Sequence, residues 1–121
     1  MSTRDQIAFA SLWGHAERCM AKRFAVAEAV AGLREITTRP DLLAQTAGTM
    51  AGSAEPGRPE RQWRIDAARL LVRAGADRAL LPRWIEQGRQ NAVRGTAGRG
   101  ISHEWPDDLD DVLAEVLDVE D

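Results

Sequence analysis

Phe9, Leu12, Trp13, Ala16, Cys19, Met20, Val26, Ala27, Val30 and Leu33 recur at steps of three and four residues. That is the period of a helix with one side turned to a core, and Arg4, Gln6, Glu17, Arg18, Lys22 and Arg34 fall mostly off the stripe. The spacing predicts one long amphipathic helix to about Ile36, with Gly14 its single point of irregularity. Ser2 or Thr3 caps its start, and Asp5 stands near the positive end of its dipole. Thr37-Thr38-Arg39-Pro40 ends it, because the residue before a proline is pushed out of helical geometry.

Pro40 then opens a short second helix, with Leu42, Leu43, Thr46, Ala47 and Met50 on one apolar face. The breaker-rich run from Ala51 to Arg58 reads as a surface loop. A third helix starts at Pro59 and Glu60, turns Trp63, Ala67, Leu70, Leu71 and Ala74 inward, and stops at Gly75, a residue suited to a left-handed C-cap. Asp77 caps the next element, Pro82 restarts or kinks it, and Leu81, Trp84, Ile85, Gly88 and Ala92 form its buried stripe.

Gly95, Gly98 and Gly100 mark residues 94–104 as a linker. Beyond it, Leu109, Val112, Leu113, Val116 and Leu117 fall at i, i+3, i+4, i+7 and i+8, with Asp108, Asp111, Glu115 and Asp118 opposite. This predicts an amphipathic helix from Asp107 to Val119 that frays at its acidic end. With no alternating β-branched run anywhere, the fold class is all-α: a compact bundle of four or five helices with a long first helix. Residues 1–93 form the helical domain, 94–104 the linker and 105–121 the acidic C-terminal helix.

Charge changes this picture. From Glu104 to Asp121 there are nine carboxylates and no Lys or Arg, whereas residues 1–103 hold all sixteen basic residues against ten acids. A body at +6 and a tail at −9 make up the formal −3 of the chain. An acidic, amphipathic arm on a basic body needs a surface to dock on. An isolated helix of about thirteen residues is marginal in water, so the segment coils only by laying its aliphatic side against protein.

Length and composition narrow the classes. The 121 residues make one domain, 44% apolar and 29% charged, which excludes wholesale disorder. There is no apolar run of spanning length and no signal-peptide layout, so a cytoplasmic protein with no membrane role is expected. The lone Cys19 excludes a disulfide scaffold. Fifteen of the sixteen basic residues are Arg, a bias that weakens arguments from arginine counts alone.

Candidate chemistry is sparse. Residues 58–99 hold ten Arg against four acids, with Trp63 and Trp84 interleaved. Arg61, Arg64, Arg69 and Arg73 are therefore candidate phosphate contacts for nucleic acid, although both indoles fall on inward stripes. A helix-turn-helix fits poorly, since Leu71 stands where a small residue is needed and Pro82 would interrupt the second helix; a plain helical hairpin fits better. His15 and Cys19, four apart, match a zinc spacing, but no Cys-x-x-Cys or His-Glu-x-x-His accompanies them, so no metal or other cofactor is expected. The glycine-rich run Arg94 to Gly100 lacks the Lys-Ser/Thr ending of a phosphate loop. Two histidines and no assembled nucleophile predict a protein that is not an enzyme.

The run Ala67 to Asp77 followed by Pro82 to Arg89 resembles uncharacterised small helical proteins of high-GC actinobacteria and their mobile elements. It covers about a quarter of the chain. The resemblance implies a source and a helical fold and carries no functional residues.

The expected function is a non-catalytic interaction or regulatory module. It docks a protein partner through Leu109, Val112, Leu113, Val116 and Leu117, or forms a homo-oligomer through the first helix. The alternatives are a DNA-associated accessory protein whose Arg-rich region is masked by the acidic tail, and an antitoxin-like protein that neutralises a basic partner.

Overall fold

The computed structural model of the protein describes residues 2–55, 59–98 and 109–119, and for 95–98 the backbone alone. Among these residues the fold is all-α: α1 Thr3–Lys22, α2 Val26–Ile36, α3 Pro40–Gly52, α4 Glu60–Arg73, α5 Leu81–Gly98 and α6 Leu109–Leu117, with a 3-10 turn over Arg78–Leu80 before α5. Ser2 is the N-cap of α1, its hydroxyl oxygen accepting the Asp5 backbone N–H at 3.1 Å.

The single helix expected up to Ile36 is two helices. The break is not at Gly14, which lies inside an unbroken α1, but at Arg23, whose φ of 54° is left-handed. The Arg23 N–H donates to the Met20 carbonyl at 3.3 Å and the Phe24 N–H to the Cys19 carbonyl at 3.1 Å, the paired closure that usually employs glycine. A side chain in this conformation costs about 1–2 kcal/mol. Offsetting it, Phe24 packs on the core and the redirected chain buries Ala29 and Leu33 of α2. Apolar spacing continues through the corner, which is why periodicity did not reveal it.

The helix opened by Pro40 is the centre of the molecule. Leu42, Leu43, Ala44, Thr46, Ala47, Gly48, Met50, Ala51 and Gly52 of α3 are all buried, and α1, α4, α5 and α6 pack around it. One apolar face was expected; nearly the whole circumference is covered. The buried Thr46 hydroxyl is satisfied by donating to the Leu42 carbonyl at 2.9 Å.

Small residues let α5 approach this closely. A Cβ on Gly48 or Gly52 would strike Trp84, Ile85 and the Arg89 amide, and one on Gly88 would lie 2.5 Å from the Thr49 carbonyl oxygen. The last carbonyls of α3, which have no partner within the helix, are met by two arginines. Buried Arg89 donates through Nε to the Gly52 carbonyl at 3.1 Å, and Arg64 Nη1 reaches the Ser53 carbonyl at 3.2 Å and its hydroxyl at 2.7 Å. A hydrogen bond from a charged donor contributes about 1.5–3 kcal/mol. Arg89→Ala is therefore expected to lower stability by about 2–3 kcal/mol, read as a reduced urea midpoint at unchanged slope. A loss below about 0.5 kcal/mol would show that water replaces the guanidinium.

Between α4 and α5 the local signals hold. Gly75 has φ 115°, its N–H donates to the Val72 carbonyl, and the Ala76 N–H donates to the Leu71 carbonyl. Asp77 caps the 3-10 turn through Oδ1, which accepts the Ala79 N–H at 3.0 Å. Pro82 sits in the first turn of α5, where a missing N–H costs nothing, and does not interrupt it. The helical hairpin expected here does not form, because α4 and α5 scarcely touch and both pack on α3 instead. Trp63 and Trp84 are half-buried, while Ile65, off the expected stripe, is fully buried. α5 runs to Gly98, so residues 94–98 are helical; residues 99–104 of the expected linker lie outside the described residues.

Candidate functional site: the seat of the acidic helix

The acidic helix, expected from Asp107 to Val119, spans Leu109–Leu117; residues 107–108 and 120–121 lie outside the described residues. Its nine residues are too few to hold a helix in water alone, so its stability comes from the surface beneath it. That surface belongs to the same chain: α3, α4 and α5 form the seat. Val112 and Val116 are fully buried, and Leu109, Leu113, Leu117 and Val119 pack partly buried against the same core. The five apolar residues named from their spacing therefore share one side, and that side is occupied in cis. Asp110, Asp111, Ala114 and Asp118 are exposed.

Charge complements the apolar contact at two points. Arg61 of α4 forks onto Glu115, with Nη1 to Oε2 at 3.2 Å, and Arg69 donates through Nη2 to the Asp118 backbone carbonyl. The second contact supplies a donor at the negative end of the helix, where the chain itself places no basic residue in the last turn. Asp110 and Asp111 in the first turn favour the positive end. Packing is less complete there: a crevice of about 180 Å³ remains between Leu109 and Leu113 on one side and Pro82 and Ile85 on the other.

The four candidate phosphate contacts are thus divided. Arg61 and Arg69 hold α6, Arg69 also pairing with Asp66 at 3.5 Å; Arg64 closes the end of α3; Arg73 stays exposed on α4. Arg83 lies over the Trp84 ring, its Cζ 5.1 Å from the centroid, so this indole stacks on a guanidinium of its own chain. At the other end of the fold Arg39 joins two helix starts, reaching Asp5 at 2.7 Å and Asp41 at 2.6 Å. The Arg39 hydrogen bond holds the Asp41 carboxyl below its usual value.

Among the described residues Cys19 and His15 do not converge with further ligands. Cys19 is buried, and desolvation pushes its thiol pKa up, with Arg18 and Glu28 acting on it in opposite senses. The His15 ring is pressed against Gly32 of α2, and its Nε2 is buried without a hydrogen-bond partner. Among the described residues no three His, Cys, Asp or Glu side chains group to hold a metal ion; His103 lies outside them. Nor, among them, is any helix long and apolar enough to cross a membrane.

Sequence reasoning missed one feature near this site. Met20, Phe24 and Val26 from the α1–α2 corner and Asp66, Arg69, Leu70 and Arg73 from α4 line an open cleft of about 470 Å³. It depends on the turn at Arg23, which carries no glycine or proline to announce it. Comparison with protein-family models, curated proteins and solved structures gives no match, so geometry alone carries the functional reading.

Proposed function

We propose that this protein is a non-catalytic interaction or regulatory module whose working part is the acidic C-terminal helix, seated in cis until a partner exchanges with it. The observation that carries this reading is that α6, nine residues long, is held on α3, α4 and α5 by two buried valines, partly buried leucines and two arginine contacts. A basic, apolar partner surface suits the freed face of α6. An acidic amphipathic helix from a partner suits the vacated seat.

Native-state hydrogen exchange tests it. Elements that open locally exchange at lower free energy than the global core. Amides of α6 are expected to exchange at least about tenfold faster than those of α3, and the rate is expected to rise with salt as the Arg61–Glu115 pair is screened. Equal protection of α6 and α3 would make α6 simply the last helix of one cooperative core, and the reading would go.

One observation favours a second reading, a DNA-associated protein: two of the four candidate phosphate contacts, Arg61 and Arg69, are those that α6 engages. Deleting residues 105–121 is then expected to raise duplex-DNA affinity, with the gain falling steeply in salt as counterions are released. Absence of binding by both forms would remove this reading and leave the first intact.

A further inference from the structure

The aliphatic side of α6 is closed in its middle and open at one flank. Val112 and Val116 are fully buried, whereas Leu109 and Leu113, one turn apart, stay partly exposed beside Pro82 and Ile85 of α5. The crevice between them, about 180 Å³, is smaller than the roughly 300–1,000 Å³ of small-molecule sites and suits one long side chain. The rest of its lining is two carboxylates, Glu86 of α5 and Asp110 of α6, and among the described residues no basic side chain lines it. We infer that a partner protein docks here on the seated α6 by inserting a lysine, with its four-carbon stem between the leucines and α5 and its ammonium at the two carboxylates. The inference rests on the reading above that α6 is the element a partner addresses, and it adds the chemistry of that partner. A partner bound in this way holds α6 in its seat, the opposite of one that exchanges with it.

Charge and shape point to the same occupant. Among the described residues neither carboxylate is paired with a cation: Glu86 accepts a neutral hydrogen bond from the Gln90 side-chain amide at 3.5 Å, and Asp110 is exposed in the first turn of α6. The two come from different helices, so one ammonium with three rotatable donors can serve both, where a planar guanidinium matches the paired oxygens of a single carboxylate. An apolar stem with a charged tip is also the form in which lysine covers apolar surface. The further acids Asp111 and Asp118 are exposed on α6 as well. They extend the negative surface beyond the reach of one side chain, which favours a basic protein segment over a free amine. One wall of the crevice is α6 and the other α5, so it exists only while α6 is seated, and whatever fills it stabilises that state.

The test is titration of the full chain, followed by amide chemical shifts, with two probes: n-butylammonium, the bare lysine side chain, and the acetylated peptide Ala-Arg-Lys-Arg-Ala amide. Saturable shifts at Ile85, Glu86, Asp110 and Leu113 are expected for n-butylammonium on the order of 10 mM. The peptide is expected to bind at least about tenfold more tightly, because its flanking cations meet the other acids of α6. Methylammonium, which lacks the stem, and butan-1-ol, which lacks the charge, are each expected to bind at least about fivefold more weakly than n-butylammonium. Asp110→Asn and Glu86→Gln are each expected to weaken n-butylammonium about threefold to fivefold. Glu35→Gln, the same change of charge on an exposed position of α2, leaves it unchanged. Hydrogen exchange of the α6 amides is expected to slow at saturation with the peptide. The proposal is overturned if n-butylammonium does not saturate, if either half-ligand matches it, if the Glu35 variant loses as much as the crevice variants, or if α6 exchange is not slowed. A peptide no tighter than n-butylammonium makes the crevice a site for a free amine and overturns the protein partner. Failure of the underlying reading shows separately, as equal exchange of α6 and α3 in the free protein.

Discussion

Gly52→Ala is expected to destabilise the fold by on the order of 3 kcal/mol, a large part of the roughly 5–15 kcal/mol available to a domain of this size. The added methyl group would collide with the Ile85 carbonyl oxygen and lie 2.9 Å from the Arg89 amide nitrogen, so backbone has to move. Moving α5 away from α3 also lengthens the Arg89 hydrogen bond to the Gly52 carbonyl and loosens the covered end of α3. Gly88→Ala meets the same obstacle from the other helix, with the Thr49 carbonyl oxygen at 2.5 Å and Cα at 2.9 Å. Gly14→Ala supplies the internal control: nothing lies within 4 Å of its Cβ position, on the exposed side of α1. There the same substitution is expected to stabilise by about 0.5–1 kcal/mol, because alanine is the better helix former. Urea unfolding of the three variants measures both signs. Gly52→Ala within about 0.5 kcal/mol of the parent would mean that α3 and α5 do not meet at this register.

These glycines also show where sequence patterning runs out. Pro40, Gly75, Asp77 and Pro82 were legible because each acts through its own backbone: a fixed φ, a left-handed turn, a side-chain cap. Gly48, Gly52 and Gly88 act through a neighbouring helix, and the same residue type that permits a close crossing reads locally as a breaker. The four-residue interval between Gly48 and Gly52 was the available signal, since it places two bare backbone patches on one helical face. The central position of α3 was hidden for a related reason, because alanine and glycine on its remaining faces give a weak apolar stripe.

For the candidate site, the outcome divides along the same line. The apolar side of α6 was readable from five aliphatic residues at helical spacing, and Val112 and Val116 at its middle are the two that are wholly enclosed. What lay beneath that side was not readable, since the seat is assembled from three separate helices, α3, α4 and α5, whose mutual packing local periodicity does not encode. The arginines were visible as a set but not by role. Arg64 and Arg89 serve carbonyls at the end of α3, Arg61 and Arg69 serve α6, and no composition count distinguishes those tasks from contact with phosphate. The cleft at Arg23 was missed because an apolar stripe continued across the corner that creates it.

Val112→Asp is expected to eject α6 without unfolding the rest of the chain. Leaving an unpaired carboxylate in the apolar seat costs about 3–5 kcal/mol, and a tethered nine-residue helix has a cheaper course, which is to leave. The measured loss of stability is then capped at the docking free energy of α6, so Val116→Asp, which strikes the same seat one turn on, is expected to cost no more, and the two together no more than either. Amides of α6 are expected to lose their hydrogen-exchange protection while those of α3 and α4 keep theirs, and far-UV circular dichroism to fall by the share of one short helix. Ala114→Asp, on the exposed side of the same helix, is expected to stay within about 0.5 kcal/mol of the parent, which separates the effect of place from that of added charge. If Val112→Asp instead unfolds every helix in one transition, or if the double variant adds its two costs, then α6 is inseparable from the core and no partner exchanges with it.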